Sequence, residues 1–254
     1  MQQTRWTKLA GAGVAATLAA VIGLGATTAL ASAESAQQNV ALGGAQSARV
    51  EVTLDAGELK LHGGAATTDL LSGTFGYEAD GGKPKFDYVV DDGRGDLKVQ
   101  PEDSNDFHIT WPWDMVDDTK WDVALNNTVP TDLKVDVNAG KLDLTLGGTN
   151  VTDLEVDADA AQAEVDLSGS WTHDLTADLK TDAGQLVVTL PSDVGVRIET
   201  NVDVGDKDVA GLQEVADDVY VNDAYATSTV KLTIKANVDA GQLKVRVADS
   251  AADL

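Results

Sequence analysis

From Val50 onward apolar residues alternate with charged and polar ones, and at short intervals that alternation changes phase. Val50, Val52 and Leu54 give way to Leu59 and Leu61; Val135 and Val137 give way to Leu142, Leu144 and Leu146. Leu179 is followed by Leu186, Val188 and Leu190; Val230, Leu232, Ile234, Ala236 and Val238 are followed by Leu243, Val245 and Val247. Alternation with a period of two is the mark of a half-buried strand, and a one-residue slip would turn every later apolar side chain to solvent. Each slip must therefore coincide with a bend. At each slip stands the same short phrase: Asp55-Ala56-Gly57, Asn138-Ala139-Gly140, Asp159-Ala160-Ala161, Asp182-Ala183-Gly184 and Asp239-Ala240-Gly241. We expect Ala to continue the inward row, Gly to absorb the slip, and the Asp or Asn to supply turn chemistry.

Positions 138, 159 and 182 are 21 and 23 residues apart, and Asp203-Val204-Gly205, 21 further on, is a degenerate copy. Position 239 lies another 36 on, with room for a loop over 205–226. Such a period predicts a solenoid-like stack in which each rung covers the next. A pair of packed β-sheets, a β-sandwich, uses the same short alternating strands and is the competing architecture. Helical periodicity is hinted at only in Val209–Val219, where Gly211 weakens it. The fold class is therefore all-β, built of stacked bent strands.

The first 33 residues read differently. Arg5 and Lys8 precede an uncharged Ala/Gly/Leu/Val run that ends in Ala31-Ser32-Ala33, the pattern of a secretory signal peptide, or of an N-terminal anchor if uncleaved. Residues 34–47 are small and polar and read as a flexible lead-in. We divide the rest into an N-terminal subdomain at 48–128, a C-terminal repeat region at 130–248 and a tail at 249–254. The copy at 55 stands 83 residues from the next. The expected location is the cell envelope or the extracellular space.

Charge narrows the partners. The chain carries a formal −24, and −26 once Arg5 and Lys8 are removed with a leader. A field of that sign repels nucleic acid and anionic lipid. There is no Cys, hence no disulfide.

No catalytic constellation emerges. His62, His108 and His173 are scattered, and neither a nucleophile elbow nor a phosphate-binding Gly-rich loop occurs. Calcium is the one cofactor that the residues suggest, through Asp91-Asp92-Gly93-Arg94-Gly95-Asp96 and Asp217-Asp218, although neither run matches a calcium-loop pattern and solvated turn carboxylates explain both. Arg94-Gly95-Asp96 is too short to specify adhesion. Trp111, Trp113 and Trp121 form the densest aromatic group and are the candidate partner-binding residues, for an envelope protein or a glycan. The alternative is a plug that packs the junction between the two subdomains.

The segments VTLDAGELKLHGGA, LNNTVPTDLKVDVNAGKLDL, DAGQLVVTLPSDVGVRIE and VKLTIKANVDAGQLKV together resemble the toastrack domain family, most specifically at Leu190–Arg197. That family includes extracytoplasmic domains of bacterial cell-wall-stress response proteins and relatives named as adhesins. The resemblance covers most of 48–248 and implies stacked β architecture, an envelope role and no known catalytic set. Ala161 departs from the usual Gly, and the cluster of membrane helices found in many stress-response members is missing. The expected function is a non-catalytic binding or structural module, associated with envelope stress. An adhesin-like glycan or protein binder that uses calcium, and a polysaccharide-active β-solenoid enzyme, are the alternatives.

Overall fold

A computed structural model describes residues 34–77, 82–102 and 119–248. The proposed leader and the tail at 249–254 lie outside them. Thirteen strands run in chain order: β1 (Glu34–Ala41), β2 (Ser47–Gly63), β3 (Asp69–Tyr77), β4 (Pro84–Asp91), β5 (Arg94–Pro101), β6 (Lys120–Leu125), β7 (Thr131–Thr145), β8 (Val151–Asp166), β9 (Leu175–Leu190), β10 (Gly195–Ala210), β11 (Gln213–Ala216), β12 (Val219–Val221) and β13 (Lys231–Val247). Their order in the sheet is β1-β3-β6-β2-β7-β8-β9-β13-β10-β12-β11, with β5 also on β2 and β4 on β5.

The long strands β2, β7, β8, β9, β13 and β10 are mutually parallel. Straight parallel neighbours need a crossover of a dozen or more residues, yet residues 146–150 suffice between β7 and β8. The strands manage this by folding back at the bend, so that two limbs face each other. β2 shows the division: its first limb pairs with β5 and its second with β6. Across the gap Phe75 of β3 meets Phe86 of β4 edge-on, with centroids 5.0 Å apart. The single hydrogen-bonded sheet is thus folded into two layers over one core, which joins the stacked-strand and packed-sheet readings. That core is continuous from Val40 to Val245. It runs without interruption across residue 129, because β2 and β7 pair along both limbs.

At each bend the ladder skips one residue. Leu54 pairs with Val137 and Ala56 with Ala139, which leaves Asp55 and Asn138 out of the register; the same gap recurs in the other rungs. The glycine after it carries φ of +121° at Gly140 and +143° at Gly184. A Cβ on Gly184 would lie 2.1 Å from the carbonyl oxygen of Ala161 in the neighbouring strand, so the column of glycines is also a column of close backbone contacts. Ala161 is absent from the positive-φ residues and is buried, 4% exposed. One expectation is corrected: Ala160, Ala183 and Ala240 are exposed. The inward row ends two residues earlier, at Ala158, Thr181 and Val238, because the chain turns outward at the acidic residue instead of after Ala.

Three further differences follow from long-range pairing. Residues 34–41, expected as part of a lead-in, form β1, held antiparallel on β3 by a ladder that needs no apolar pattern. The helical hint at Val209–Val219 resolves into the end of β10 and the hairpin β11–β12. Finally, β13 does not follow β10 in the stack; it lies between β9 and β10.

Candidate functional site

In-register parallel strands place equivalent residues in straight columns across the sheet, about 4.8 Å apart. On the outer face of the first limbs, one column reads Glu51, Lys134, Glu155, Asp178, Lys235, Glu199, and the next Thr53, Asp136, Asp157, Lys180, Asn237, Asn201. These are the polar alternates of strands whose apolar alternates fill the core. Over β7, β8 and β9 the face forms an open groove of about 430 Å³, lined by Arg49, Asp132, Lys134, Glu155, Asp157, Asp178 and Lys180 among others.

Its charges are locked across the strands. Lys134 donates to Glu155 at 2.7 Å and lies 3.8 Å from Asp136. The Glu155 hydrogen bond holds the Lys134 ammonium above its usual range. Arg94 donates to Asp132 at 2.8 Å, and Lys98 lies 3.1 Å from Glu51. Asp136 and Asp157 lie directly opposite each other in register. Burial pushes the Asp136 carboxyl up, Lys134 opposes that rise, and the Asp157 charge adds to it. Asp157 Oδ1 is buried with no hydrogen-bond partner.

Beside the groove runs the file of bend residues: Asp55, Asn138, Asp159, Asp182, Asp239 and Asp203. Asn138 donates to Asp55 at 3.2 Å. Asp157, Asp159 and Asp182 each bring a carboxylate oxygen within 4.8 Å of the others, a hard-oxygen set of the kind that Ca²⁺ takes. Sequence reasoning missed this grouping because its members come from two different rungs. A column alignment of the repeat phrase would have shown it.

The sites expected from sequence fare differently. Trp121 is 1% exposed and packs edge-on against Phe75 at 5.3 Å, so it belongs to the core and offers no stacking face to a ligand. Trp111 and Trp113 lie outside the described residues. Asp92 and Gly93, with φ of +46° and +79°, make the two-residue turn between β4 and β5, while Arg94 is engaged by Asp132. Asp217 and Asp218 form the β11–β12 turn, where Asp218 accepts from Lys207 and Glu214 joins them in a second carboxylate group. His62 bonds Asp122 at 3.0 Å and His173 the Val151 carbonyl at 3.0 Å, both away from the groove. His108 lies outside the described residues.

Fold and face together define a stacked β-repeat protein that displays charged ladders on a rigid scaffold. The chain belongs to the toast-rack family: the model for the N-terminal domain of toast_rack (DUF2154) matches residues 30–189. The structure is similar to that of a "putative cell adhesion protein" from Clostridium sporogenes, with a TM-score of 0.78 and 20% identity over 85% of this chain and all of the other. A "putative adhesin" from Bacteroides fragilis aligns over 85% of this chain and 99% of its own, at 9% identity and a TM-score of 0.29. A search of curated proteins finds no match. Among the described residues no helix is long and apolar enough to cross a membrane.

Proposed function

We propose that the chain is a non-catalytic, adhesin-like recognition module of the cell envelope, and that the groove over β7–β9 takes a hydroxyl-rich glycan. The observation that carries this reading is the groove lining itself. Carboxylates and cations are interspersed there in fixed register, so acceptors and donors for sugar hydroxyls share one face. Protein interfaces draw on aromatic and aliphatic anchors. Among the described residues the exposed large apolar side chains, Val89, Val90, Val204 and Val215, all lie away from the groove. The name of the Clostridium sporogenes structure and the leader-like N-terminus support a surface location.

A glycan array followed by calorimetry tests the reading. A hit whose affinity falls at least tenfold in Asp178→Asn, with an unchanged melting temperature, is the expected result; a blank array rejects it. Association with envelope stress follows the family and is a separate reading. A deletion strain with unaltered sensitivity to wall-active agents would dispose of that part alone.

A further inference from the structure

The strand order β9-β13-β10 means that the chain passes from β9 to β10 through residues 191–194 and leaves one rung open between them. The last strand then fills that rung. β13 pairs with β10 from Lys231 to Arg246 and with β9 from Leu232 to Val247. Three features make it a separable piece. On its N-terminal side it is joined to β12 through the short turn at Asp223–Ala226 and residues 227–230, and a chain without Cys has no disulfide lock on it. It is also basic: Lys231, Lys235, Lys244 and Arg246 against Asp239 give a formal +3 within a chain of −24. β9 carries Asp178 and Asp182 against Lys180, and β10 carries Glu199, Asp203, Asp206 and Asp208 against Arg197 and Lys207, so the slot walls sum to −3. Lys235 lies in register with Asp178 on one side and Glu199 on the other.

The third feature is register. Gly241 aligns with both Gly184 and Gly205, and Leu232 with both Leu175 and Val196. β9 and β10 therefore share one phase, and they can close on each other when β13 leaves, which limits the ladder left unpaired. A released β13 finds no equivalent site on the far side of β10, where β12 already holds Arg197–Glu199. Among the described residues, the slot between a β9 and a β10 is the acceptor that pairs both edges of these 17 residues.

We propose that β13 is an exchangeable strand, and that a second copy of this chain is a partner of the slot: residues 231–247 of each copy insert between β9 and β10 of the other. Reciprocal exchange recreates the strand contacts of the monomer, so its cost lies in association entropy, the hinge and the repulsion between two acidic bodies. Attraction between a +3 strand and a −3 slot is the same in either arrangement, and it steers a released strand back into a slot, its own or that of a second copy.

Thr176 of β9 and Thr233 of β13 are exposed register partners, and the chain has no other thiol to compete with cysteines placed there. Full chains bearing only Thr176→Cys and only Thr233→Cys are mixed at rising concentration, incubated and then oxidised. The expected product is a mixed disulfide dimer whose yield grows with concentration and exceeds that of Thr176→Cys mixed with Lys60→Cys. The doubly substituted chain, oxidised while monomeric, should then be unable to dimerise. Mixed links no more frequent than the Lys60 control, a stapled chain that dimerises as readily as the reduced one, or no dimer at any concentration would each overturn the proposal.

Discussion

Replacing Gly184 by Ala tests whether the bend column is a steric requirement or a mere preference. Gly184 sits at φ +143°, and its missing Cβ would point at the Ala161 carbonyl, 2.1 Å from the oxygen and 3.1 Å from the carbon. Both atoms belong to backbone, so no rotamer change relieves the contact. Holding an L-residue in that region costs about 1–3 kcal/mol. Forcing a methyl into a filled contact costs ~1–3 kcal/mol more. The expected loss is about 2–6 kcal/mol, against a total stability on the order of 5–15 kcal/mol. For a chain of this size that lowers the melting temperature by roughly 4–24 °C. Ala161→Gly is the matched control: the same column, but a side chain at ordinary φ, for which about 0.5–1 kcal/mol is expected. Urea unfolding of both variants, with m-values compared to verify that the transition is the same, decides the matter. A Gly184→Ala chain that unfolds no earlier than Ala161→Gly would show that the bend can absorb a Cβ, and the column argument would fail.

The charged face gives two further predictions. Asp157→Asn should raise stability by about 1 kcal/mol, because it removes a like charge in register with Asp136; a lowered melting temperature would contradict this. Asp136 has its folded pKa raised above 3.8 by burial, so its ionised form disfavours the fold and stability rises as pH falls through the folded value. Asp136→Asn should accordingly be more stable than the parent at neutral pH, with the advantage vanishing below about pH 3.8; an advantage that persists in acid would point to packing instead. Asn222, 5% exposed, accepts from the Val196 N–H at 2.9 Å and donates to the Val194 and Pro191 carbonyls at 2.7 and 3.3 Å. Asn222→Ala should cost about 1–3 kcal/mol and speed hydrogen exchange at Val196, and unchanged exchange there would refute the assigned role.

What could be read from the sequence was the rung, and the reason is local. A phase change in alternation must be matched by a bend within a few residues, so Asp182-Ala183-Gly184 announces its own geometry. The place of Ala183 was misread because the phrase fixes where the slip is complete but not which residue begins it. Trp121 had two readings, and composition alone could not choose between a ligand face and a core. The choice depends on Phe75, which packs on Trp121 and is itself met by Phe86, from strands that no pattern links in sequence.

The order of the rungs and the candidate site were illegible for one shared reason. Repeats that build a regular stack must agree in phase, in glycine position and in inward row, or the columns would not align. That agreement makes every rung an acceptable neighbour of every other, so Gly184, Gly205 and Gly241 give no clue that the last of them lies between the first two. Order has to be imposed by features outside the repeat. The hairpin β11–β12 is such a feature, since it covers Arg197–Glu199 on the outer side of β10 and leaves β13 only the inner slot. The charged columns arise in the same way. Lys134 meets Glu155 only because their rungs are adjacent, and Asp136 faces Asp157 for the same reason. The groove is therefore a property of the stacking order and not of any one repeat, and a change in that order would rewrite the charged face while leaving each rung intact.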